Sequence, residues 1–334
     1  MKYAVIGIGA IGTVIGGLLV ESGEEVVLLG RDYQIKKIKN EGIKISGLNK
    51  TKKIDNVNIS SDIKQISESD IIIISIKSQD TKKLANNLKG NIKESALIVS
   101  FQNGVKNAQI LRDITGNKVV SGIILFNSLY LKPGEIEITI SGDILIENDK
   151  SNENNIKNLA NNLSKNGIET KIVEKIDGYL FSKLIVNLQI AVTALTGQSV
   201  RESIIDTDSR KILVSVMSEG LKVLEKSGIS IKPLPDIDPI KMIKRLKNTN
   251  TIFLKFGSIF MGVKKNARNS MWQSLDRRKT TEIDFINGEI VNIAKKNNLK
   301  APVNNKLVDL IKEAEKQEIK RTIEPDRLRR ILNV

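Results

Sequence analysis

The chain contains no cysteine and no histidine. The lack of cysteine excludes disulfides and catalysis by a thiol, and the lack of both residues excludes ordinary zinc sites. The lack of histidine also removes the commonest general acid–base near neutral pH. Any proton transfer must therefore use lysine, aspartate, glutamate, tyrosine or water, and we expect no bound metal.

Aromatic residues are scarce, at 4% of the chain, and acidic residues are outnumbered: 38 Asp and Glu stand against 53 Lys and Arg, a formal charge of +15. Such a charge can indicate nucleic-acid binding, but the basic residues are spread along the chain and no recognition motif accompanies them. We interpret them as a solvated, lysine-rich surface that attracts anionic small molecules, and we expect no nucleic-acid partner.

We also expect no segment that spans a membrane. The longest strongly apolar run suited to a strand covers residues 71–76, which is too short to span a bilayer. The first strand pattern starts at Tyr3, so no leader peptide is expected before it. The sequence therefore predicts a soluble, cytoplasmic protein that does not bind membranes.

The clearest motif that is present lies in the first 32 residues. A short apolar strand at 3–6 is followed by Gly7, Gly9 and Gly12 at G-x-G-x-x-G spacing, then by an apolar helix to about Ser22 and a second strand at 25–29. In this context the glycines permit a tight turn, a close approach of a pyrophosphate to the backbone, and close packing of helix on sheet. The helix start then offers backbone N–H groups to the phosphates. The motif predicts a dinucleotide site.

The end of the second strand predicts which dinucleotide binds. An NAD site places an acid about 20 residues after the motif to hold the ribose hydroxyls. Here Gly30 stands at that point, and Arg31 and Asp32 follow. A guanidinium can pair with a 2′-phosphate, so we predict NADP(H). The alternative is that Arg31 is a solvated surface residue and Asp32 binds the ribose of NAD.

Strands and helices alternate over the rest of the first half, which predicts an α/β fold with a Rossmann-type doubly wound sheet. From about residue 174 the pattern is helical. We predict an NADP-binding domain at 1–175 and a helical substrate or catalytic domain at 176–334. Ligands of such sheets bind beyond the carboxyl ends of the strands. Lys77, Gln102 and Asn103 follow two buried strands there, although ordinary turn chemistry also explains them.

Two further groups of residues in the helical half have the chemistry of a site. Lys183 and Asn187 share one face of an apolar helix predicted over 177–197, where burial would lower the pKa of the lysine; a lysine that reaches solvent is the alternative. Glu282 lies beside an apolar helical stripe, and Ser270 comes 12 residues earlier. On one straight helix the two would lie about 18 Å apart, so Ser270 is predicted on a loop before the helix. A surface acid and a capping serine are the alternatives.

Together these segments resemble the ketopantoate reductase (2-dehydropantoate 2-reductase) family over nearly the whole chain. The most specific part is the string S-M-x-Q at 270–273 with T-E-I-D-x-I-N-G at 281–288. The resemblance implies an NADPH-binding Rossmann domain, a C-terminal all-helical domain and an active site in the cleft between them.

The resemblance also implies roles for individual residues. It makes Lys183 the catalytic lysine and Glu282 its paired glutamate. It makes Asn103, Asn187 and Ser270 substrate-binding residues. With Lys77 added from the family, the predicted cofactor-binding residues are Gly7, Ile8, Gly9, Ala10, Ile11, Gly12, Arg31, Lys77, Asn103 and Glu282.

The implied reaction is reduction of 2-dehydropantoate to pantoate by NADPH, in pantothenate biosynthesis, with Lys183 as proton donor. One position departs from the family: the second asparagine of the K-x-x-x-N-x-x-x-N pattern is Ala191 here. Losing such an amide costs about 1–3 kcal/mol of substrate binding unless Gln189 or another group compensates. The alternatives are reduction of a different 2-oxo acid and a catalytically silent NADP-binding regulator that contacts nucleic acid through its charge.

The C-terminal tail, residues 322–334, has the pattern of a short amphipathic helix. Two placements are open from the sequence. The tail docks on the body of its own chain, or it docks on a second subunit of a homodimer.

Overall fold

The computed structural model of the protein describes residues 1–48, 50–248, 269–319 and 322–334. The chain divides into two compact units, Met1–Ile176 and Asp177–Val334.

The first unit combines strands and helices. Its strands are β1 (Lys2–Ile6), β2 (Glu25–Leu29), β3 (Ile43–Ser46), β4 (Lys52–Ile54), β5 (Asn58–Ser60), β6 (Ile71–Ile74), β7 (Leu97–Ser100), β8 (Val119–Ile124), β9 (Asn127–Lys132), β10 (Glu135–Ile140), β11 (Ile144–Glu147) and β12 (Thr170–Val173). Its α-helices are α1 (Ala10–Glu21), α2 (Asp32–Glu41), α3 (Thr81–Leu88), α4 (Asn107–Thr115) and α5 (Glu153–Lys165).

Most of these strands form one sheet with the order β12-β11-β8-β7-β6-β1-β2-β5. From β5 to β8 every neighbouring pair is parallel, and β11 runs antiparallel to β8. The chain places β2 on one side of β1 and β6 on the other. This reversal is the switch point at which doubly wound sheets bind ligands, beyond the carboxyl ends of their strands.

The apolar pattern of the central strands follows from burial on both faces. Tyr3 and Val5 of β1 pack into one hydrophobic core, and Ala4 and Ile6 pack into another on the opposite face. All four isoleucines of β6 are 0% exposed. A strand with helices on both faces needs apolar residues at every position, which explains why these runs do not alternate. A smaller sheet, β4-β3-β10-β9, completes the unit.

The described residues of the second unit form helices joined by loops, with no strand among them. Its helices are α6 (Asp177–Asn187), α7 (Gln189–Thr196), α8 (Val200–Ile205), α9 (Thr207–Lys226), α10 (Pro239–Asn248), α11 (Ser270–Asp276), α12 (Asn287–Lys296), α13 (Pro302–Glu315) and α14 (Pro325–Leu332). The predicted fold class, a Rossmann-type doubly wound sheet followed by an all-helical part, is confirmed.

The apolar segment predicted as one helix over 177–197 is interrupted at Leu188, between α6 and α7. By length and composition alone, Asp177–Thr196 is apolar enough to cross a membrane, which inspection for strand-like runs missed. Of its most apolar part, 56% is buried inside the protein. It also carries Lys183 and Asn187, so we describe it as a core helix pair.

The tail docks on its own chain. Leu328 and Leu332 of α14 are buried, α14 packs against α9, and Arg329 forms a 2.7 Å ion pair with Asp208 at the start of α9. The Ile323 N–H also donates to the Leu195 carbonyl near the end of α7 (2.8 Å). The first of the two placements left open by the sequence is therefore the one observed.

Candidate active site

The glycine-rich turn between β1 and α1 is crowded at two glycines and open at the third. Gly7 has φ +99°, and a Cβ there would lie 2.8 Å from the Ile76 nitrogen. A Cβ at Gly12 would collide with the Gly7 carbonyl oxygen and Ser75 Oγ. At Gly9, by contrast, no atom lies within 4 Å of the Cβ position. The turn therefore needs Gly7 and Gly12 for its own folding and leaves open space over Gly9.

The N-terminus of α1 faces this turn. Gly9 is the N-cap, it provides no side-chain cap, and the first turn of the helix has no acidic residue. The first N–H groups of any helix lack intrahelical acceptors. With the open space at Gly9, these donors fit a pyrophosphate, so the residues present suit a dinucleotide.

Arg31 and Asp32 lie where the cofactor ribose is expected. Both are exposed; Arg31 is the N-cap of α2 and Asp32 is its first residue. A surface recess of about 290 Å³ lies next to α2. It is lined by Asp32, Ile35, Lys36, Lys39, Ile59, Ser60 and Ser61. Two lysines and two serines give it the donors that a phosphate accepts from.

The loops that carry Lys77 and Asn103 follow the adjacent parallel strands β6 and β7. They are tied together because Ser78 Oγ donates to the Asn103 carbonyl (2.8 Å) and Asn107 Nδ2 donates to both Ser78 Oγ (3.1 Å) and the Asn103 carbonyl. Next to the first loop, Ser75 Oγ donates to the Gly7 carbonyl (2.8 Å). The structure thus brings the glycine-rich turn, the Lys77 loop and the Asn103 loop together at one edge of the sheet.

Behind these loops lies a buried polar network that the sequence analysis missed. Thr81 Oγ1 donates to Asn107 Oδ1 (2.9 Å), and Gln102 Nε2 donates to Thr81 Oγ1 (2.7 Å) and to the Ile76 carbonyl (3.2 Å). Thr81, Gln102 and Asn107 are each at most 6% exposed. Buried polar groups need partners, so this network holds the two loops in one arrangement. Gln102 was noted as a residue after a strand; it supports the loops from behind.

In the helical unit, Lys183 and Glu282 interact although they are far apart in the sequence. Lys183 is on α6, and Glu282, 5% exposed, precedes a 3-10 turn at Ile283–Phe285. Desolvation lowers the pKa of Lys183 to about 8, and the Glu282 carboxylate opposes this by favouring the ammonium. A lysine with such a pKa can give up a proton near neutral pH.

Two details of this region differ from the sequence prediction. Ser270 is not on a loop; it is the first residue of α11, capped by Asn269, whose Oδ1 accepts from the Trp272 N–H (2.8 Å). The apolar stripe beside Glu282, which consists of Ile283, Ile286, Ile290 and Ile293, does not lie on one helix, because α12 begins only at Asn287. A 3-10 turn and an α-helix both place residues three apart on one face, so the stripe could not distinguish them.

The interruption between α6 and α7 has a polar partner. Asn287 Nδ2 donates to the Leu188 carbonyl (3.3 Å) and to Asn304 Oδ1 (3.0 Å), and both asparagines are 0% exposed. Asn304 in turn donates to Glu219 Oε1 (2.9 Å). Asn187, the last residue of α6, is therefore next to a carbonyl that a buried network holds. Ala191, on α7, is 0% exposed.

Two family models match the chain. The model described as ketopantoate reductase PanE/ApbA matches residues 3–150, and its C-terminal counterpart matches residues 175–315. The 2-dehydropantoate 2-reductase of Pyrococcus horikoshii is 32% identical over 318 residues, which cover 94% of this chain and 98% of that protein.

Solved structures show the same fold. A PanE/ApbA family ketopantoate reductase from Ralstonia eutropha superposes with a TM-score of 0.81 at 27% identity, covering 95% of this chain and 99% of that chain. D-mandelate dehydrogenase, solved with NADH and anilino(oxo)acetate, has a TM-score of 0.80 at 22% identity over 95% of this chain and 99% of that chain. The second likeness concerns the fold alone.

Proposed function

The chain belongs to the ketopantoate reductase family, and from this premise we propose that it reduces 2-dehydropantoate to pantoate with NADPH, a step of pantothenate biosynthesis. The observation that carries the proposal is the half-buried Lys183 beside the buried Glu282, with a pKa of about 8 in a chain without histidine. This pair supplies a proton donor that the reduction of a ketone requires.

The reaction adds a hydride to the keto carbon and a proton to its oxygen. The bound cofactor supplies the hydride. The Lys183 ammonium donates a hydrogen bond to the keto oxygen, stabilises the negative charge that develops there and transfers its proton to it. Lys183 is then neutral and regains a proton from solvent. Glu282 favours the charged form of Lys183 and so helps to keep the lysine protonated.

The remaining predicted residues bind and orient the substrate. Ser270 takes the substrate carboxylate, and Asn103 and Asn187 hold the substrate. Asn103 is supported by the network behind its loop, and Asn187 lies beside the carbonyl that Asn287 holds.

The cofactor site is assigned to the first unit. The backbone of residues 7–12 receives the pyrophosphate over Gly9, and Lys77 contributes a positive charge. Arg31 selects the 2′-phosphate, and the lysines and serines of the recess beside Asp32 favour an anion there. Binding of NAD through Asp32 is the alternative. The cytoplasmic location and a homodimer stay predictions.

A second candidate is reduction of a different 2-oxo acid. The observation that favours it is Ala191, a buried methyl where the family usually presents an amide. The same fold also serves the D-mandelate dehydrogenase named above, so the fold does not choose among 2-oxo acids.

The test is NADPH oxidation by the purified chain with ketopantoate and five or six other 2-oxo acids. The highest kcat/KM is expected with ketopantoate. A higher value with another 2-oxo acid supports the second candidate. No oxidation with any of them, together with salt-sensitive binding of DNA or RNA, would overturn both in favour of a silent regulator.

A further inference from the structure

Position 30 is occupied by glycine for reasons of space. Gly30 follows β2, where NAD-binding sheets carry their acidic residue. The φ angle of Gly30 is not positive, and its N–H donates to the Ser60 carbonyl (3.0 Å). A residue with a side chain could therefore adopt the same backbone conformation. A Cβ, however, would lie 2.6 Å from Ile8 Cδ1 and 3.4 Å from Gln34 Oε1.

Ile8 cannot easily move out of this space. It lies in the glycine-rich turn between Gly7 and Gly9, is 2% exposed and belongs to the core of the first unit. Moving its end group means repacking that core, which costs about 1–3 kcal/mol in a dense interior. Ile8 therefore occupies the volume that an acidic side chain at position 30 would need.

Gln34 also borders this space, with its Oε1 3.4 Å from the Cβ position, and it makes three hydrogen bonds. Its Nε2 donates to the Ile8 carbonyl (2.5 Å) and to the Tyr130 hydroxyl (3.2 Å), and its Oε1 accepts from the Arg31 N–H (3.1 Å). Gln34 is 7% exposed, so it is a buried link between the turn and Arg31. The pyrophosphate and the 2′-phosphate are attached to the 5′ and 2′ positions of the same ribose, so this link keeps their two binding points in register.

We propose that Ile8 and Gln34 are specificity-determining positioning residues for the 2′-phosphorylated cofactor. Ile8 keeps position 30 without a side chain, and Gln34 holds the backbone of Arg31 against the glycine-rich turn. This inference rests on the proposed use of NADPH. It adds that the preference depends on buried residues behind Arg31 as well as on Arg31.

The first test measures Kd for NADPH and NADH by calorimetry with the full chain, in the wild type, Gln34→Ala and the exposed glutamine control Gln109→Ala. Gln34→Ala should raise Kd for NADPH about 10-fold, the effect of one lost hydrogen bond, and leave Kd for NADH within about 2-fold. Gln109→Ala should change neither. An equal rise for both cofactors would mean that Gln34 only supports the turn, and would overturn its assignment.

The second test addresses Ile8. Gly30→Asp alone should weaken binding of both cofactors, whereas Gly30→Asp combined with Ile8→Ala should bind NADH more tightly than NADPH. A change to NADH preference in Gly30→Asp alone would overturn the role of Ile8. If the aspartate variants do not fold, Gly30→Ala with and without Ile8→Val decides: Ile8→Val, which removes Cδ1, should restore the melting temperature and the Kd that Gly30→Ala loses.

Measurements on the wild type distinguish failure of the proposed reaction from failure of the proposed roles of Ile8 and Gln34. If the wild type binds NADPH but reduces no 2-oxo acid, the proposed reaction fails while the Kd ratios of the variants still test Ile8 and Gln34. If the wild type prefers NADH, the cofactor assignment and this inference are both wrong.

Discussion

The glycine-rich turn of the first unit and the Lys183 helix of the second rest on opposite kinds of residues. The turn depends on side chains that are absent: Gly7 and Gly12 leave no room for a Cβ, and Gly9 leaves open space. The helix depends on a charged side chain that is present and desolvated, Lys183, next to the buried Glu282. Substitutions in the turn should therefore change the packing of the turn and the affinity for the cofactor. Substitutions at Lys183 and Glu282 should instead change proton transfer.

The two regions also differ in their cost to the fold. The glycine-rich turn holds its carbonyls with neutral donors, such as Ser75 Oγ on the Gly7 carbonyl and Gln34 Nε2 on the Ile8 carbonyl, and needs no buried charge. A lysine whose pKa is lowered to about 8 is held in an environment that disfavours its charged form, so it destabilises the folded state at neutral pH. This cost falls at the residue that we propose as the proton donor.

The largest expected effect is that of Lys183→Met, which removes the proposed proton donor and keeps the length of the side chain. We expect kcat to fall about 10²- to 10⁴-fold, the usual contribution of a general acid, with Kd for NADPH unchanged. Steady-state kinetics and calorimetry measure the two quantities. The control is Lys226→Met, an exposed lysine at the end of α9. Near-normal turnover of Lys183→Met would show that another group donates the proton.

The same variant has an internal check on folding. The unfolded state binds more protons than the folded state between pH 8 and about 10.5, so wild-type stability should rise with pH over this interval. Lys183→Met should therefore be more stable than the wild type by about 1–3 kcal/mol at pH 7, and the gain should vanish above about pH 10.5. Denaturant unfolding at several pH values tests this; a gain that does not depend on pH would be a packing effect.

A smaller effect is expected within the turn, where two glycines should respond differently to the same methyl group. Gly12→Ala should lower the free energy of unfolding by about 1–3 kcal/mol, because its Cβ meets the Gly7 carbonyl. Gly9→Ala should fold normally, since Gly9 has φ −85° and nothing near its Cβ position. Its Kd for NADPH should rise about 5- to 150-fold, because the methyl occupies the space proposed for the pyrophosphate.

Thermal unfolding and calorimetry on both variants separate these outcomes. If Gly9→Ala binds NADPH as the wild type does, the open space at Gly9 is not the pyrophosphate site. If Gly12→Ala keeps its stability, the turn is more adaptable than its geometry indicates.

The contrast between the regions also explains what the sequence could predict. The turn and the parallel strands are encoded locally: three glycines in six residues and uninterrupted isoleucines such as β6 need only short-range reasoning. The pairing of Lys183 with Glu282 joins distant segments, so it came from family resemblance. Gln34 and Asn107 were missed because their partners, Ile8 and Ser78, lie 26 and 29 residues away. A glutamine three residues after a helix N-cap was the one local signal for Gln34.

The smallest expected effect is a shift in pH dependence on changing Glu282→Gln. In the wild type kcat/KM should decrease above about pH 8, as Lys183 loses its proton in the free enzyme. The Glu282 carboxylate favours the ammonium, so removing its charge lowers the pKa of Lys183 further. The decrease should therefore begin at a lower pH, by on the order of 1 pH unit. The matched control is Asp284→Asn, an exposed acid two residues later that pairs with Lys312 on the surface. It should leave the profile in place. A Glu282→Gln profile that stays in place or moves to higher pH would mean that Glu282 does not act on Lys183 through its charge. Desolvation alone would then set the pKa of Lys183.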